Sequence, residues 1–209
     1  MEGETPTAMI HLSNSKFVAS SLVDKESLLN LYEENGAKDT TYVINYPQIN
    51  NEILTPHEAK RIFEYRIFYN ETNNRIVVVY VYIDLIDIYD IDLNLKARIH
   101  GPDQFIPELD FYEIDGVKNA RLILNKTKLS YQSSHLTSDR IWALYNGRPI
   151  QIGQEFPNRI LCFDYSGNPL HIYHLEYPVF AFCVDEKENA IYGISEQPER
   201  CIVRFPLPY

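Results

Sequence analysis

The residues with the clearest potential for chemistry form an acidic series near the middle of the chain. The series consists of Asp84, Asp87, Asp90, Asp92 and Asn94. Its last three members have the D-x-D-x-N spacing that opens a calcium-binding loop. Such a loop also needs Gly at its sixth position and Glu at its twelfth, where this chain has Leu95 and Gly101. Because related sequences recur at residues 32–36 and 163–168, the series is predicted to be a strand-connecting turn without a metal ion.

The histidines are the other candidates for acid–base chemistry or metal ligation. They are His11, His57, His100, His135, His171 and His174. His171 and His174 are three residues apart in a predicted strand, so their side chains should point to opposite faces and should not bind the same metal ion. His11 and His135 occupy a repeat position where the other copies have Asn or Asp, which favours a role in a turn.

Motifs that would indicate an enzyme do not occur. The sequence has no G-x-S-x-G, no H-E-x-x-H and no glycine-rich phosphate loop. No catalytic residue and no cofactor are therefore predicted. Cys162, Cys183 and Cys201 are odd in number, lack C-x-x-C spacing and fall in apolar runs, which predicts buried, unpaired thiols rather than a disulfide or zinc site.

Composition excludes two classes of partner. The chain carries 29 acidic and 19 basic residues, a net charge of −10, and has no cluster of Lys and Arg that would neutralise phosphates. Nucleic acid is therefore not expected as a partner. The longest apolar run, residues 76–83, is too short to span a bilayer, so membrane insertion by this chain is not expected either.

Four copies of one sequence unit position these residues. The first half of the unit lies at residues 10–20, 69–79, 134–144 and 184–194. The copies align without a gap on Phe17, Ile76, Ile141 and Ile191. Each copy is a β-branched and aromatic run interrupted by polar residues, which predicts strands joined by reverse turns at residues 70–74, 137–139 and 186–189.

The repeats predict an all-β fold, a propeller of four-stranded antiparallel blades in one domain, residues 1–209. The repeats extend approximately over residues 7–46, 64–104, 129–176 and 178–207. A β-sandwich of hairpins is the alternative, but sandwiches do not usually repeat the same polar positions in register. One short helix is predicted over residues 55–63, with Thr55 as its cap, Pro56 in its first turn and Glu58 completing a capping box.

Several segments resemble the TolB-like six-bladed propeller family of Bacteroides-type bacteria. They lie at residues 87–103, at 139–148 (DRIWALYNGR), at 160–170 (ILCFDYSGNPL) and at 184–207. The resemblance implies a protein of the periplasm or cell envelope, often a lipoprotein, and carries no catalytic signature. Because the family has six blades and this chain has four repeats, the resemblance implies an incomplete ring, the C-terminal part of such a protein.

Binding residues are expected where loops gather at one end of the blades, because rigid β scaffolds present ligand contacts on loops. The candidates are His100, Asp103, Tyr145 and Arg148, with Arg66 and Tyr131 on the innermost strands. An insertion at residues 147–158 should project at the same end. The leading hypothesis is a non-enzymatic module that binds a protein, peptide or glycan. The alternatives are a hydrolase or lyase acting through the central channel, and a structural subunit completed by another chain.

An incomplete ring should leave two apolar flanks exposed. They are predicted around Phe17 and Val18 in the first repeat and around Ile191 and Tyr192 in the last. Residues 2–6 are too few and too polar to supply an outer strand. The chain is therefore expected to self-associate, and to be less stable than the same chain extended upstream.

Overall fold

The computed structural model describes residues 6–21, 27–47, 49, 54–150, 156–197 and 199–208. Sheet 1 contains β1 (Pro6–His11), β2 (Phe17–Ser21), β3 (Ser27–Tyr32) and β4 (Lys38–Asn45). After a short helix, α1 (Pro56–Ile62), sheet 2 contains β5 (Tyr65–Asn70), β6 (Arg75–Tyr80), β7 (Leu85–Tyr89) and β8 (Leu95–His100). A two-stranded hairpin follows, formed by β9 (Leu109–Ile114) and β10 (Val117–Leu122).

Two more sheets complete the described chain. Sheet 3 contains β11 (Tyr131–Leu136), β12 (Arg140–Tyr145), β13 (Arg159–Asp164) and β14 (Pro169–His174). Sheet 4 contains β15 (Ala181–Asp185), β16 (Ala190–Ser195) and β17 (Cys201–Pro206). Strands follow one another in chain order within every sheet, and all pairs are antiparallel. The predicted all-β fold and the three predicted reverse turns are confirmed.

The sheets pack face to face, and sheets 2 and 3 bury both of their surfaces. In β6, Ile76, Val78 and Tyr80 point into a core shared with sheet 1. Val77 and Val79, which alternate with them, point into a second core shared with sheet 3. A third core lies between sheets 3 and 4 and contains Trp142 among other buried apolar side chains. Burial on both faces explains why residues 76–83 form a continuous apolar run rather than an alternating one.

Helix α1 forms as the sequence predicted. Thr55 caps it in an extended conformation, Pro56 lies in the first turn, and the Thr55 hydroxyl accepts a hydrogen bond from the Glu58 amide. Glu58 returns a bond by accepting the Thr55 amide at 2.7 Å. This reciprocal pair satisfies two backbone groups that a helix end otherwise leaves without partners.

The hairpin of β9 and β10 was not predicted. Asp115 and Gly116 join its strands, and both have positive φ angles, 51° and 76°. Such a turn is favoured by Asp-Gly between two extended runs, so the dipeptide was the signal in the sequence. Ala120 and the partly buried Leu109 and Leu122 pack on the core of sheets 1 and 2.

The acidic series divides into two groups, so the prediction of a single turn was wrong in part. Asp90 does form a turn, because its Oδ1 accepts the amides of Asp92 and Asn94 at 3.0 and 2.9 Å. Asp84 and Asp87 are instead fully buried. Asp87 pairs with both Nε and a terminal nitrogen of Arg98, at 2.7 and 2.8 Å, which compensates for burying its charge.

Histidine and cysteine positions also differ from the prediction. His11 and His135 lie in strands, paired with Phe17 and Trp142, rather than in turns. Cys162 is buried, Cys201 is half-buried and Cys183 is exposed, so the prediction of three buried thiols was wrong for Cys183. Because residues alternate between faces in a strand, neighbours such as Cys183 and Val184 have opposite environments.

Each predicted apolar flank included one residue that is in fact buried between two sheets. Val18 and Ile191 are buried, in the cores that face sheets 2 and 3 respectively. Phe17 and Tyr192, their chain neighbours, point to the opposite sides of their sheets and are half-buried. Alternation along a strand does not allow both members of either pair to lie on an open flank.

In the described part of the chain, no helix has the length and hydropathy needed to cross a membrane.

Candidate functional site

The sheets have two distinct ends. The first turn of every sheet and the third turn of sheets 1 to 3, such as residues 71–74 and 90–94 of sheet 2, lie at one end, which we call the turn end. The second connections, such as residues 81–84 and 146–150, and the connections between sheets lie at the other, the loop end. Residues 147–150 and 156–158 of the predicted insertion lie at the loop end, and residues 151–155 lie outside the described ranges.

A buried carboxylate organises the loop end. Asp84 Oδ2 accepts the amides of Asp103 and Gln104 at 2.9 and 2.8 Å. Its Oδ1 accepts the Tyr131 hydroxyl at 2.9 Å. The Tyr145 hydroxyl lies 3.5 Å from Asp84 Oδ2 and donates to Asp103 at 2.8 Å. Burial and these carboxylates raise the pKa of both tyrosines, so the phenols stay neutral and act as donors.

The chain approaches Asp84 so closely that a side chain would not fit. A Cβ on Gly101 would lie only 2.0 Å from Asp84 Oδ1 and 2.5 Å from the Tyr131 hydroxyl. Gly101 is therefore required for close packing at this point. The loop after β8 is thus attached to sheets 2 and 3 by one carboxylate.

Four of the six predicted binding residues lie in or beside this network. Tyr131 and Tyr145 are buried, and they position the loop rather than presenting themselves to a ligand. Asp103 is exposed, and His100 is the exposed last residue of β8, directly before the loop. Arg66 and Arg148 are exposed and lie outside the network. A binding role for these residues stays a prediction.

His100 also borders a groove of about 500 Å³ between sheets 2 and 3. The groove is lined mainly by apolar residues, among them Pro102, Leu161, Phe163 and Ile172. It lies on the outer side of the sheets, beside strands β8, β13 and β14.

A larger and more polar cavity lies at the turn end, where sheets 2, 3 and 4 meet. This turn-end cleft has a volume of about 720 Å³. It is lined by residues 69–72 of sheet 2, residues 135–138 of sheet 3, and residues 183–187 with Tyr192 of sheet 4. The first strands of neighbouring sheets lie beside each other, which brings these turns together.

Side chains of the turns link neighbouring sheets across the cleft. The side-chain amide of Asn70 in sheet 2 donates to the Thr137 carbonyl and to the Tyr165 hydroxyl of sheet 3, each at 2.6 Å. The Ser138 hydroxyl of sheet 3 donates to Glu186 of sheet 4 at 3.2 Å. The rim of the cleft is therefore held together by hydrogen bonds that cross both sheet junctions.

The same kind of link continues to sheet 1. The Ser13 hydroxyl donates to Asn74 at 2.8 Å, and Tyr69 donates to the Ser13 hydroxyl at 2.9 Å. Polar turn residues thus connect all four sheets at this end. A site built on such connected elements keeps its geometry better than one on independent loops.

His135 lies at the junction of sheets 3 and 4 within the cleft. Burial lowers the pKa of its imidazole, while Glu186 and the Val184 carbonyl oppose that effect only in part. The imidazole is therefore neutral at pH 7. A neutral imidazole both donates and accepts hydrogen bonds.

The charge of the cleft lining is predominantly negative. Glu71, Asp185 and Glu186 contribute carboxylates, and Lys187 contributes one cation. In the described residues, no group of three or more His, Cys, Asp or Glu side chains is arranged to hold a metal ion. Glu71 and Glu186 lie in turns, and Asp185 is the last residue of the inner strand β15.

Sequence alignment missed Thr137 because the third repeat has a shorter first turn. Asn70 and Arg75 enclose four turn residues, whereas the Thr137 amide already bonds the Arg140 carbonyl across two. A gapless alignment therefore places His135 opposite Asn70, two residues too early. Leu136 pairs with Ile141 as Tyr69 pairs with Ile76, so Thr137, the next residue after Leu136, is equivalent to Asn70.

Comparison with solved structures identifies the architecture. The chain superposes on the β-propeller domain of Cps50 (Swd1) from Myceliophteria thermophila with a TM-score of 0.52 and 11% identity, covering 98% of this chain and 54% of that one. It superposes on a catalytically inactive virginiamycin B lyase from Staphylococcus aureus with quinupristin, with a TM-score of 0.51 and 14% identity, covering 100% of this chain and 58% of that one. At these identities the likeness shows the fold alone.

The chain thus spans little more than half the length of these propellers. No curated protein matches its sequence. The sequence pattern of one family, described as TolB-like 6-blade propeller-like, matches residues 4–187. That range covers most of the described sheets, whose strand order and face-to-face packing are those of propeller blades. The chain therefore belongs to the TolB-like 6-blade propeller-like family.

Proposed function

We propose that this chain is a non-enzymatic interaction module that binds a positively charged segment of a partner protein in the turn-end cleft. The observation that supports this most is the convergence of three sheets on one polar cavity of about 720 Å³. Cavities of this size accommodate several side chains of a ligand. Hydrogen bonds across the sheet junctions keep the cavity formed before a partner arrives, which limits the entropy lost on binding.

Charge supports a cationic occupant. Glu71, Asp185 and Glu186 outnumber Lys187 in the lining, and the whole chain carries a net charge of −10. An acidic surface attracts basic partners over a distance and speeds their association. Backbone groups and the exposed side chain of Thr72 add neutral hydrogen-bonding partners for a peptide.

Family membership supports a location for this activity. A TolB-like propeller is expected in the periplasm or at the envelope of a bacterium, so the proposed partner is an envelope or periplasmic protein. We also propose that the chain comes from a Bacteroides-type bacterium, as its sequence suggests. Its sheets would then form part of a six-bladed ring.

A labelled lysine-rich peptide tests the proposal by fluorescence anisotropy. We expect it to bind at low ionic strength and a glutamate-rich peptide of equal length not to bind. Glu71→Gln combined with Glu186→Gln should weaken binding several-fold, because both carboxylates border the cleft.

The matched control is Glu113→Gln, which removes one negative charge from an exposed position on the β9–β10 hairpin. It should leave the affinity for the lysine-rich peptide nearly unchanged. Glu71→Gln and Glu186→Gln are also measured singly, so that each removes one charge as the control does. If Glu113→Gln lowered the affinity as much as either of them, the peptide would be attracted unspecifically to an acidic protein, which would contradict a site in the cleft.

A further inference from the structure

His135 is the only histidine in the described lining of the turn-end cleft. It lies on β11, the first strand of sheet 3, and pairs with Trp142 on β12. Trp142 belongs to the core between sheets 3 and 4, so this side of β11 faces sheet 4. The Val184 carbonyl of β15 accepts a hydrogen bond from the ring. The half-buried imidazole therefore lies between two sheets and borders the cleft.

Charged side chains surround this imidazole on all three sheets that form the cleft. They are Glu71 of sheet 2, Asp139 and Arg140 of sheet 3, and Asp185, Glu186 and Lys187 of sheet 4. The other titratable groups of the described lining are Tyr69, Cys183 and Tyr192. Asp139 and Arg140 lie 3.3 Å apart and compensate each other. The charge of the cleft therefore depends on its three carboxylates and on Lys187.

One proton on His135 changes the charge of the cleft substantially. With a neutral imidazole, three carboxylates and one ammonium group give the lining a net charge of −2. An imidazolium reduces this net charge to −1, half of the original value. It also attracts Glu186, the acid whose charge acts on the ring. The Glu186 carboxylate accepts long hydrogen bonds from the Ser138 hydroxyl, at 3.2 and 3.4 Å, so it is free to turn towards a new cation.

We propose that protonation of His135 makes the turn-end cleft release its cationic partner segment in mild acid. The imidazolium repels a lysine or arginine of the partner and competes with it for Glu186. Histidine suits this role because its charge ordinarily changes between about pH 5 and about pH 8. Burial lowers the pKa of His135, so the neutral form, which binds more tightly, prevails at pH 7. This inference rests on the function proposed for the cleft and adds its regulation.

The test follows the affinity of the labelled lysine-rich peptide from about pH 7 to about pH 5 at constant ionic strength. The wild type should bind the peptide several-fold more weakly at the lower pH, because the charge that attracts the peptide is halved. Aspartate and glutamate ordinarily titrate at about pH 4, so their charges change little in this range. The circular dichroism spectrum is recorded at each pH, so that only folded protein is compared.

Three substitutions assign the effect to His135. His135→Gln does not gain a proton and should bind the peptide with nearly the same affinity over the whole range. His135→Lys carries a permanent charge at the same position and should bind weakly even at neutral pH. His174→Gln is the matched control, because His174 is exposed on the outer strand of sheet 3 and outside the cleft lining. It should keep the pH dependence of the wild type.

Binding and protonation are linked, so the peptide should in turn act on the histidine. NMR titration of the His135 ring protons measures this effect. A saturating concentration of the peptide should lower the pKa of the imidazole, because a bound cation disfavours a second cation beside it. The size of that shift should match the ratio of the affinities that the two protonation states have for the peptide. An unchanged titration curve would show that peptide and proton do not compete.

The measurements separate this inference from the function on which it rests. If the peptide did not bind at neutral pH, the proposed function would be wrong and the release in acid would fail with it. If the peptide bound equally well at both ends of the pH range, the cleft would keep its proposed function and only the release would be wrong. A loss of affinity in His135→Gln as large as in the wild type would assign the effect to the carboxylates and would also overturn the role of His135.

Discussion

At the scale of single residues, the loop end depends on Asp84. Its carboxylate has no solvent contact and accepts two amides and the Tyr131 hydroxyl. Charged acceptors form stronger hydrogen bonds than neutral ones, and such bonds offset part of the cost of burying a charge, so losing them is strongly destabilising. Asp84 is therefore a structural residue that attaches the loop after β8 to sheet 3.

Asp84→Asn should destabilise the fold by about 3 kcal/mol, because an amide group cannot accept on both of its terminal atoms and the donors facing its nitrogen lose their partner. The measurement is the free energy of unfolding in urea. Asp92→Asn makes the same change in an exposed turn and should cost no more than about 0.5 kcal/mol. Similar values for the two variants would contradict the role of Asp84.

At the scale of elements, helix α1 and the β9–β10 hairpin form one unit. Glu58 accepts the amide and hydroxyl of Thr55 at 2.7 Å each, and it also accepts the Ala120 amide of β10. The side chain therefore caps its own helix and connects it to a strand that lies far away in sequence. Burial would raise the pKa of Glu58, but the hydrogen bonds from Thr55 and Ala120 outweigh burial and hold it below its usual value.

A lowered pKa in the folded state means that folding favours the ionised carboxylate. Its contribution to stability is present above the unfolded pKa, about 4.3, and is lost as pH falls through the lower folded value. Glu58→Gln should remove this dependence and cost about 1 kcal/mol at pH 7. Hydrogen exchange at the Ala120 amide measures the loss of its bond to Glu58. This amide should exchange faster in Glu58→Gln than in the wild type.

The control for this unit is Glu113→Gln, an exposed change on the same hairpin. The Ala120 amide should keep its protection in that variant. If Glu58→Gln left the exchange rate unchanged as well, α1 and the hairpin would not be coupled through Glu58.

At the scale of the whole molecule, the turns keep the sheets together. Asn70 joins sheets 2 and 3, Ser138 and Glu186 join sheets 3 and 4, and His135 lies at that second junction. Burial keeps the pKa of His135 below its usual value, so the imidazole enters the fold without charge. The junction of sheets 3 and 4 should therefore respond to mild acid.

Because the folded pKa of His135 lies below the unfolded value of about 6.5, the unfolded chain binds protons more readily. Stability from the neutral imidazole is present above that pH and is lost as pH falls towards the folded value. Urea unfolding at a series of pH values between about 7 and 5 should show this loss.

His135→Gln should flatten the pH dependence over that range, since glutamine does not titrate. His174→Gln is the control because His174 is exposed on the outer strand of sheet 3, and it should retain the wild-type slope. The same slope in all three proteins would exclude His135 as the cause.

Much of the fold was determined by the sequence itself. The runs of β-branched and aromatic residues, the recurring turns and the capping box around Thr55 are local patterns. Each depends on residues close together in the chain, so each is readable without the tertiary structure. The anchors Phe17, Ile76, Ile141 and Ile191 accordingly all lie in second strands of sheets.

Only the tertiary structure decided which polar residues are buried and which faces are open. Asp84 and Asp87 resemble the turn residue Asp90 in sequence, yet partners up to 61 residues away bury Asp84 in a network. Thr137 joined the turn-end cleft because its turn is two residues shorter, a change of register that gapless alignment conceals. Ile202 is exposed although Ile86 is buried, because burial depends on the neighbouring sheet and not on the residue.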